Sequence, residues 1–185
     1  MANTPSNMIP LRTQAPNFNL FDTVSHKTIS LQELKGVKGT VIMFICNHCP
    51  FVIHINTEIV KIANSYREKG FRFIAISSND VINYPQDSPE KMTTHARENN
   101  YSFPYLYDAT QNVAKAYGAA CTPDLFVFDE YLKLAYRGQL DDSRPVNNIP
   151  ISGKDLRHAL DCLIEEKANN TIQKPSIGCN IKWKK

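Results

Sequence analysis

The chain of 185 residues is long enough to bury a full core as one domain, and its hydrophobic fraction of 42% argues against disorder. No apolar run approaches the length of a membrane span, and residues 1–10 lack the basic and apolar segments of a signal peptide. The net charge of +3 belongs to the segment from Lys174 onward, which contributes +4 and leaves the body at −1. The basic balance therefore does not indicate a nucleic-acid groove.

The first part of the chain predicts an extended lead-in over residues 1–15, a hairpin and one turn of helix. Apolar positions alternate in residues 15–21, and a polar turn at 22–27 separates them from a short return strand at 28–30. Ser30 and Glu33 have the spacing of a capping box for the helical turn. We expect this hairpin to cover one edge of a sheet.

A strand, a long helix and a second strand follow and predict a right-handed βαβ unit with parallel strands. The apolar run 40–46 is typical of a buried strand. Helical spacing of apolar residues extends from about Cys49 to Lys69, and residues 71–77 form the next strand. Pro50 falls in the first helical turn, where its missing N–H costs little.

The remaining elements are three strands and three helices, followed by a tail at residues 168–185. The predicted strands are 105–107, 124–128 and 132–136, of which the last two form an antiparallel hairpin. The predicted helix caps are Ser88, Asp108 with Gln111, and Ser152 with Asp155. We find no second domain, so a single domain over residues 1–185 is predicted.

Cys46 and Cys49 lie three residues apart at the junction between the first buried strand and the long helix. Free N–H groups and the helix dipole favour thiolate over thiol at such a position. We predict that Cys46 is the nucleophile, as the more exposed and more acidic thiol, and that Cys49 resolves the mixed disulfide. Without a signal peptide, a cytoplasmic location is expected, where structural disulfides are rare. The odd number of five cysteines therefore fits a reactive pair better than a disulfide scaffold.

Other side chains are candidates for the same site. His48 directly precedes the second cysteine, where a cation stabilises the Cys46 thiolate and makes the pair more oxidising; the alternative is a solvated histidine without a role. Cys121 is a candidate third thiol or a packed core thiol. Cys179 is either a distant resolving thiol or an anchor for the tail.

A metal site is the other chemistry that a Cys-x-x-Cys pair provides, because the pair is half of a zinc site. No second Cys-x-x-Cys or His-x-x-His follows. Cys121, Cys179, His48 and His54 would have to come together in the fold to complete one. No metal is therefore predicted.

The order of elements and several motifs resemble the thioredoxin fold. The dithiol lies at the first strand–helix junction, and Thr122-Pro123 directly precedes the predicted hairpin, where thioredoxin-like proteins carry a cis proline facing the dithiol. The opening Ala15-Pro16-x-Phe18-x-Leu20 resembles the peroxiredoxin and membrane-tethered thiol-reductase branches. The segments that resemble a bacterial thioredoxin-like/peroxiredoxin-like subfamily, related to alkyl hydroperoxide reductase and thiol-specific antioxidant, are 44–52, 136–144 and 176–184.

This resemblance implies an α/β thioredoxin fold, with a central mixed sheet flanked by helices, an N-terminal hairpin extension, an inserted helix and a C-terminal tail. It also implies a thiol–disulfide oxidoreductase without a bound cofactor. Its substrate would be a disulfide-bearing protein or small molecule, and an external dithiol would recycle it. If the bond before Pro123 is cis, the Thr122 backbone can pair with an extended partner segment beside Cys46.

Two alternatives stay open at this point. A peroxiredoxin-like thiol peroxidase would align Cys49 with the peroxidatic thiol of the Thr-x-x-Cys motif in that family, and Cys46 would replace the threonine. A copper or zinc carrier would be similar to the thioredoxin-like copper chaperones. Their Cys-x-x-x-Cys spacing differs from the spacing here.

Overall fold

A computed structural model describes residues 3–185 and shows a mixed α/β architecture. The strands are β1 Thr4–Pro5, β2 Asn19–Asp22, β3 Lys27–Ser30, β4 Gly39–Phe44, β5 Phe71–Ser77, β6 Tyr105–Tyr107, β7 Cys121–Thr122, β8 Asp124–Asp129, β9 Leu134–Gly138 and β10 Ile177–Asn180. The helices are α1 Leu31–Leu34, α2 Pro50–Arg67, α3 Pro89–Glu98, α4 Asn112–Tyr117 and α5 Lys154–Ile164. Among these described helices, none has the length and apolar character needed to cross a bilayer.

Seven strands form the central sheet in the order β3-β2-β6-β5-β4-β8-β9. The central strand β4 is parallel to β5 and antiparallel to β8, so the sheet is mixed and the predicted β4-α2-β5 unit is confirmed. The predicted hairpins are present at the two edges, with β2 paired to β3 and β8 paired to β9. Three shorter strands form a second sheet in the order β1-β10-β7.

Alternation along β4 gives the sheet a core on each face, because successive side chains of a strand point to opposite faces. Val41 and Met43 pack in the cluster that contains the apolar residues of α2 and α5. Ile42 and Phe44 pack in the cluster on the other side, which contains α4. All six residues of β4 are buried. The strand is thereby fixed from both sides, and the loop that follows it starts from a rigid support.

Helix caps show where local sequence patterns succeed and where they fail. The capping box of Ser30 and Glu33 is confirmed. The predicted box of Asp108 and Gln111 is wrong, because Asp108 accepts from the Ala114 N–H and Gln111 donates its amide to the Ser78 carbonyl. The predicted Ser152 cap of α5 is also wrong, since this helix follows Gly153 at φ 65°. These side chains form hydrogen bonds with residues further away in the sequence than a capping box spans.

The segment expected to be a tail contains strand β10 and belongs to the fold. This strand pairs antiparallel with β1 on one side and with β7 on the other. Beyond it, Ile181 is 1% exposed, and the backbone N–H of Lys182 donates to Asn79 Oδ1 at 2.9 Å. The C-terminal segment therefore forms a wall beside the carboxyl end of β4.

Candidate redox site

The loop between β4 and α2 carries the dithiol. Helix α2 begins at Pro50, and Cys49 is its N-cap, so Cys46 lies before the helix start rather than at it. The Cys49 carbonyl accepts from the N–H groups of Val52 and Ile53 at 3.0 Å each. Cys46 and Cys49 are 1% and 0% exposed, so the expectation of a clearly more exposed Cys46 is wrong. Both sulfurs lie beneath the surface.

Thr122 contacts both thiols. The Thr122–Pro123 peptide bond is cis, as the family resemblance implied. The Thr122 hydroxyl lies 3.5 Å from Cys46 Sγ, and the Cys49 thiol donates to the Thr122 carbonyl at 3.0 Å. One residue thus holds the two sulfurs of the pair with its side chain and its backbone.

The predicted order of acidity within the pair is reversed. The Cys46 thiol donates to Cys49 and lowers the pKa of Cys49 to about 5, with further lowering by Cys179 and Thr122 against the opposing effect of burial. The pKa of Cys46 is raised by the same hydrogen bond, by burial and by the negative charge of Asp87. The Thr122 carbonyl accepts the Cys49 proton only while that thiol is neutral. The titrations of the two thiols are coupled, and the pKa of Cys49 falls while that of Cys46 rises.

A buried carboxylate positions His48. Nδ1 of His48 lies 2.7 Å from Oδ2 of Asp87, whose side chain is 0% exposed. The Asp87 oxygens also accept from the Asn47 N–H at 2.9 Å and from the Asn79 amide at 2.8 Å. The His48 ring stacks on Tyr84 with an interplanar angle of 6°. His48 is therefore fixed beside the dithiol and is not a freely solvated side chain.

Asp87 is a site residue that the sequence reasoning missed. It lies in a short 3₁₀ helix, Pro85–Asp87, within a polar segment between β5 and α3. Its partner Asn47 is 40 positions away in the chain. No local motif links the two residues, and the polar segment has the composition of an ordinary surface loop.

Three potential metal ligands meet at the same place. Donor atoms of Cys46, His48 and Asp87 all lie within 4.8 Å of one another, and these are donor types that zinc and copper accept. Asp87 already binds His48, Asn47 and Asn79, so an ion would have to displace the His48 contact. His54, one of the residues considered for a metal site, instead contacts Ser143 at 3.2 Å.

The two remaining candidate thiols have different surroundings. Cys179 is 6% exposed and packs in the same cluster as Cys46 and Cys49, and burial raises its pKa to about 12. The Cys121 thiol donates to the Pro123 carbonyl, and burial also raises its pKa. Of these two thiols, Cys179 is therefore the one that packs with the dithiol.

The proposed docking edge beside the cis proline is already occupied. Strand β10 pairs antiparallel with β7 so that Cys179 is opposite Thr122. A Cβ at Gly178 would lie 2.0 Å from the Thr122 carbonyl oxygen, so only glycine allows this approach. The expectation that an extended partner pairs with Thr122 is corrected, because the chain itself fills that edge.

An open apolar groove with a volume of about 330 Å³ lies at the first turn of α2, and its lining contains neither Cys46 nor Cys49. Its apolar lining residues are Pro50, Phe51, Pro145, Val146 and Ile177. Val146 is 93% exposed, whereas Pro50 directly follows the buried Cys49. The groove therefore extends from solvent to the first turn of α2.

Comparison with known proteins agrees with this geometry. Residues 11–137 match the AhpC/TSA family model, which is more than half of the chain. The chain belongs to the AhpC/TSA family. It is 32% identical over 120 residues to the thiol-disulfide oxidoreductase ResA of Halalkalibacterium halodurans, covering 64% of this chain and 62% of that protein. The chain thus spans less than two thirds of the length of this relative.

Two solved structures with the same fold match almost the entire length of this chain. An uncharacterized conserved protein from Geobacillus kaustophilus is 56% identical with a TM-score of 0.98, covering 100% of this chain and 97% of that one. The hypothetical protein SMc02350 from Sinorhizobium meliloti 1021 is 45% identical with a TM-score of 0.95, covering 98% of each. A putative thioredoxin from Neisseria meningitidis is 26% identical with a TM-score of 0.62, covering 82% and 89%. The thioredoxin fold is confirmed.

Proposed function

We propose that this protein is a thiol–disulfide oxidoreductase that uses Cys46 and Cys49 as its redox dithiol. The observation that carries the proposal is the contact of both sulfurs with Thr122, directly before the cis Pro123, at the junction of β4 and α2. Membership of the AhpC/TSA family and similarity to a thiol-disulfide oxidoreductase support it.

The reaction begins from a pair that shares one charge. Cys46 transfers its proton to the Cys49 thiolate through their hydrogen bond and attacks one sulfur of the substrate disulfide. The other substrate sulfur leaves as a thiolate and takes up a proton. Cys49 then attacks Cys46 in the mixed disulfide, and the Cys46–Cys49 bond forms as the second substrate sulfur leaves. His48, held by Asp87, lies beside Cys46 throughout and favours its thiolate.

Substrates approach through the apolar groove rather than by strand pairing, because β10 fills the Thr122 edge. The groove suits a disulfide flanked by apolar groups, on a protein or on a small molecule. An external dithiol returns the Cys46–Cys49 disulfide to the reduced state. The proposed location is the cytoplasm, where glutathione and thioredoxin systems keep thiols reduced.

Trapping of the mixed disulfide tests this function. With intact insulin, whose chains are joined by disulfides, as the substrate and dithiothreitol as the reductant, we expect Cys46→Ser and Cys49→Ser to abolish disulfide reduction. Cys49→Ser should accumulate a mixed disulfide on Cys46. Cys162→Ser is the matched control, because Cys162 lies in α5 away from the dithiol, and it should retain full activity. Full activity of Cys46→Ser would overturn the proposal.

A thiol peroxidase is the second candidate, and the low pKa of Cys49 favours it. In that reaction the Cys49 thiolate attacks the peroxide and becomes a sulfenic acid while water or an alcohol leaves. Cys46 then displaces water to form the same disulfide. Cys46 stands where this family usually has the hydroxyl of threonine, so the peroxide-orienting group is changed.

Single-turnover consumption of hydrogen peroxide separates the two activities. Reduced protein with peroxidase activity would consume one peroxide per dithiol, and a dimedone adduct would form on Cys49 in Cys46→Ser. Slow peroxide consumption together with rapid insulin reduction would reject the peroxidase and support the thiol–disulfide oxidoreductase. Metal content of protein purified under reducing conditions would test the carrier alternative through the Cys46, His48 and Asp87 group.

A further inference from the structure

A third sulfur lies next to the dithiol from a different part of the chain. Cys179 is opposite Thr122 in the pairing of β10 with β7. Thr122 in turn contacts Cys46 through its hydroxyl and Cys49 through its carbonyl. Cys46, Cys49 and Cys179 pack in the same buried cluster, and the proximity of Cys179 helps to lower the pKa of Cys49. Three thiols therefore lie around one residue, Thr122.

Backbone pairing on both sides of β10 sets the position of Cys179. Ser6 and Ser176 exchange hydrogen bonds at 2.9 Å in the direction of β1. The Ile181 N–H donates to the Ala120 carbonyl at 3.2 Å beyond β7. Gly178 allows a backbone approach that any side chain would prevent. A thiol held this closely to Cys49 does not depend on movement of a loose tail.

We propose that Cys179 is a third redox thiol, which exchanges with the Cys46–Cys49 disulfide to form a Cys49–Cys179 disulfide. The inference rests on the proposed function, because the Cys46–Cys49 disulfide must form first. Cys179 lies in β10, within the segment that the sequence predicted to be a tail. Cys121, the candidate third thiol in the sequence, contacts the Pro123 carbonyl instead.

The exchange is balanced within the protein. The Cys179 sulfur attacks Cys49, the Cys49–Cys179 bond forms, and the Cys46–Cys49 bond breaks. The electron pair of the broken bond leaves on Cys46, which takes the proton released by Cys179. One disulfide and one thiol are present before and after, so no further oxidant or reductant is needed. The result is a free Cys46 beside His48, while the disulfide joins Cys49 to Cys179 in β10.

Burial makes this exchange slow near neutral pH and faster at high pH, because it keeps Cys179 protonated and only a thiolate attacks a disulfide. The first disulfide and the second disulfide should therefore separate in time. Mild oxidation should give the Cys46–Cys49 link first, and longer incubation at higher pH should increase the share of the Cys49–Cys179 link.

Tryptic digestion distinguishes the two links without ambiguity. Cys46 and Cys49 lie in one peptide, residues 39–61, so their disulfide forms a loop within that peptide. Cys179 lies in the peptide of residues 168–182, since the Lys174–Pro175 bond resists trypsin. A Cys49–Cys179 disulfide therefore joins two peptides. Cys121 and Cys162 lie in two further peptides, 116–133 and 158–167, and would give different cross-links.

The test compares wild-type protein and Cys46→Ser after oxidation with diamide. In wild-type protein we expect the looped peptide at early times and the cross-linked peptides at later times. In Cys46→Ser, where Cys49 has lost its first partner, the cross-link of Cys49 to Cys179 should dominate. Cys46→Ser with Cys121→Ser should keep the cross-link, whereas Cys46→Ser with Cys179→Ser should lose it.

The outcomes separate this inference from the proposed function. A looped peptide in wild-type protein with no Cys49–Cys179 cross-link in Cys46→Ser would overturn the role of Cys179 and leave the dithiol intact. Absence of both links would overturn the proposed function and this inference together. A thermal unfolding curve for Cys46→Ser shows that the fold is intact, so a missing cross-link cannot be attributed to unfolding.

Discussion

Two buried groups of ionisable side chains lie beside β7, and they differ in how their polar groups are paired. On the Cys121 side, Arg137 and Asp124 form an ion pair at 3.1 Å with both side chains 0% exposed. The Arg137 guanidinium also lies 3.7 Å over the Phe126 ring. On the Thr122 side, Cys46, Cys49 and Cys179 lie around one residue, and Asp87 holds His48 next to Cys46.

The two groups show that burial alone does not determine chemistry. Burial raises the pKa of Asp124 to about 6, but the charge of Arg137 opposes this and keeps the two groups bound to each other. In the thiol group, a proton can pass from one sulfur to another, because each is a donor when protonated and an acceptor when ionised. The first group therefore stabilises the fold, and the second can exchange protons and bonds.

The largest effect is expected from breaking the Arg137–Asp124 pair. Arg137→Met leaves the Asp124 carboxylate buried without its cation, so the free energy of unfolding should fall by about 3–5 kcal/mol in urea titration. Arg72→Met is the matched control, because Arg72 is exposed in β5 and its loss should change the value little. Combining Arg137→Met with Asp124→Leu should recover part of the loss. A cost below about 1 kcal/mol would contradict a structural role.

A side chain at position 178 tests the close backbone approach of β10 to Thr122 beside the thiols. A methyl group there meets the Thr122 carbonyl oxygen, which is backbone and cannot rotate away. We expect Gly178→Ala to destabilise the protein by about 1–3 kcal/mol, the usual cost of overpacking. It should also raise the pKa of Cys49, since Cys179 moves away. Asn180→Ala, at an exposed position of the same strand, is the control, and equal effects of the two variants would refute the close approach.

The acidity of Cys49 depends on its donors. Ultraviolet thiolate absorbance of reduced protein should rise as the pH passes through about 5, and the thiolate should disappear below it. Cys179→Ala removes one hydrogen bond to a charged group, worth about 1.5–3 kcal/mol, so the midpoint should rise by about 1–2 pH units. Cys121→Ala should leave it unchanged. A midpoint near the ordinary thiol value in wild-type protein would contradict the lowered pKa of Cys49.

The same shift has a consequence for stability. The folded-state pKa of Cys49 lies below the unfolded-state value of about 8.5. Ionisation of this thiol therefore stabilises the folded state, and the stabilisation is complete above about pH 8.5. This contribution decreases as the pH falls from about 8.5 towards about 5. The raised pKa of Cys46 acts in the opposite direction at higher pH, so the free energy of unfolding should be measured in wild-type protein between about pH 5 and pH 8.5.

The smallest effect concerns His48. Removing an imidazole that favours the Cys46 thiolate should destabilise the reduced pair by about 1–2 kcal/mol, because the site is partly exposed. His48→Ala and His48→Pro should therefore lower the reduction potential by roughly 20–45 mV in titration against glutathione. His54→Ala is the control. An unchanged or higher potential in both His48 variants would assign the histidine no redox role.

The sequence was sufficient for features that local patterns determine. The apolar run of β4, the spacing of α2 and the Cys-x-x-Cys pair at their junction are all readable over a short stretch, and the resemblance supplied the cis Pro123. The predicted acidity of Cys46 rested on a helix start at that residue, whereas the N-cap is Cys49. The pKa of Cys49 is lowered most by Cys46, three residues away, and further by Cys179 and Thr122, which are distant in sequence.

One missed feature did leave a signal in the sequence. Ile177, Cys179 and Ile181 alternate with Gly178 and Asn180, which is the period of a half-buried strand. The lysines around this stretch drew attention to a solvated end instead. Asp87 left no comparable signal, because a single carboxylate in a polar loop is common and its contact with His48 depends on the whole fold.

The position of β10 in the chain also affects when the site is complete. This strand is synthesised after every other described strand and helix, so a growing chain contains the dithiol and the cis-proline segment long before Cys179 emerges. Until then β7, which lies next to the two thiols, lacks its pairing strand β10 and presents an unpaired strand edge. Translation of the final strand therefore converts a surface open to other extended chains into a closed three-thiol centre.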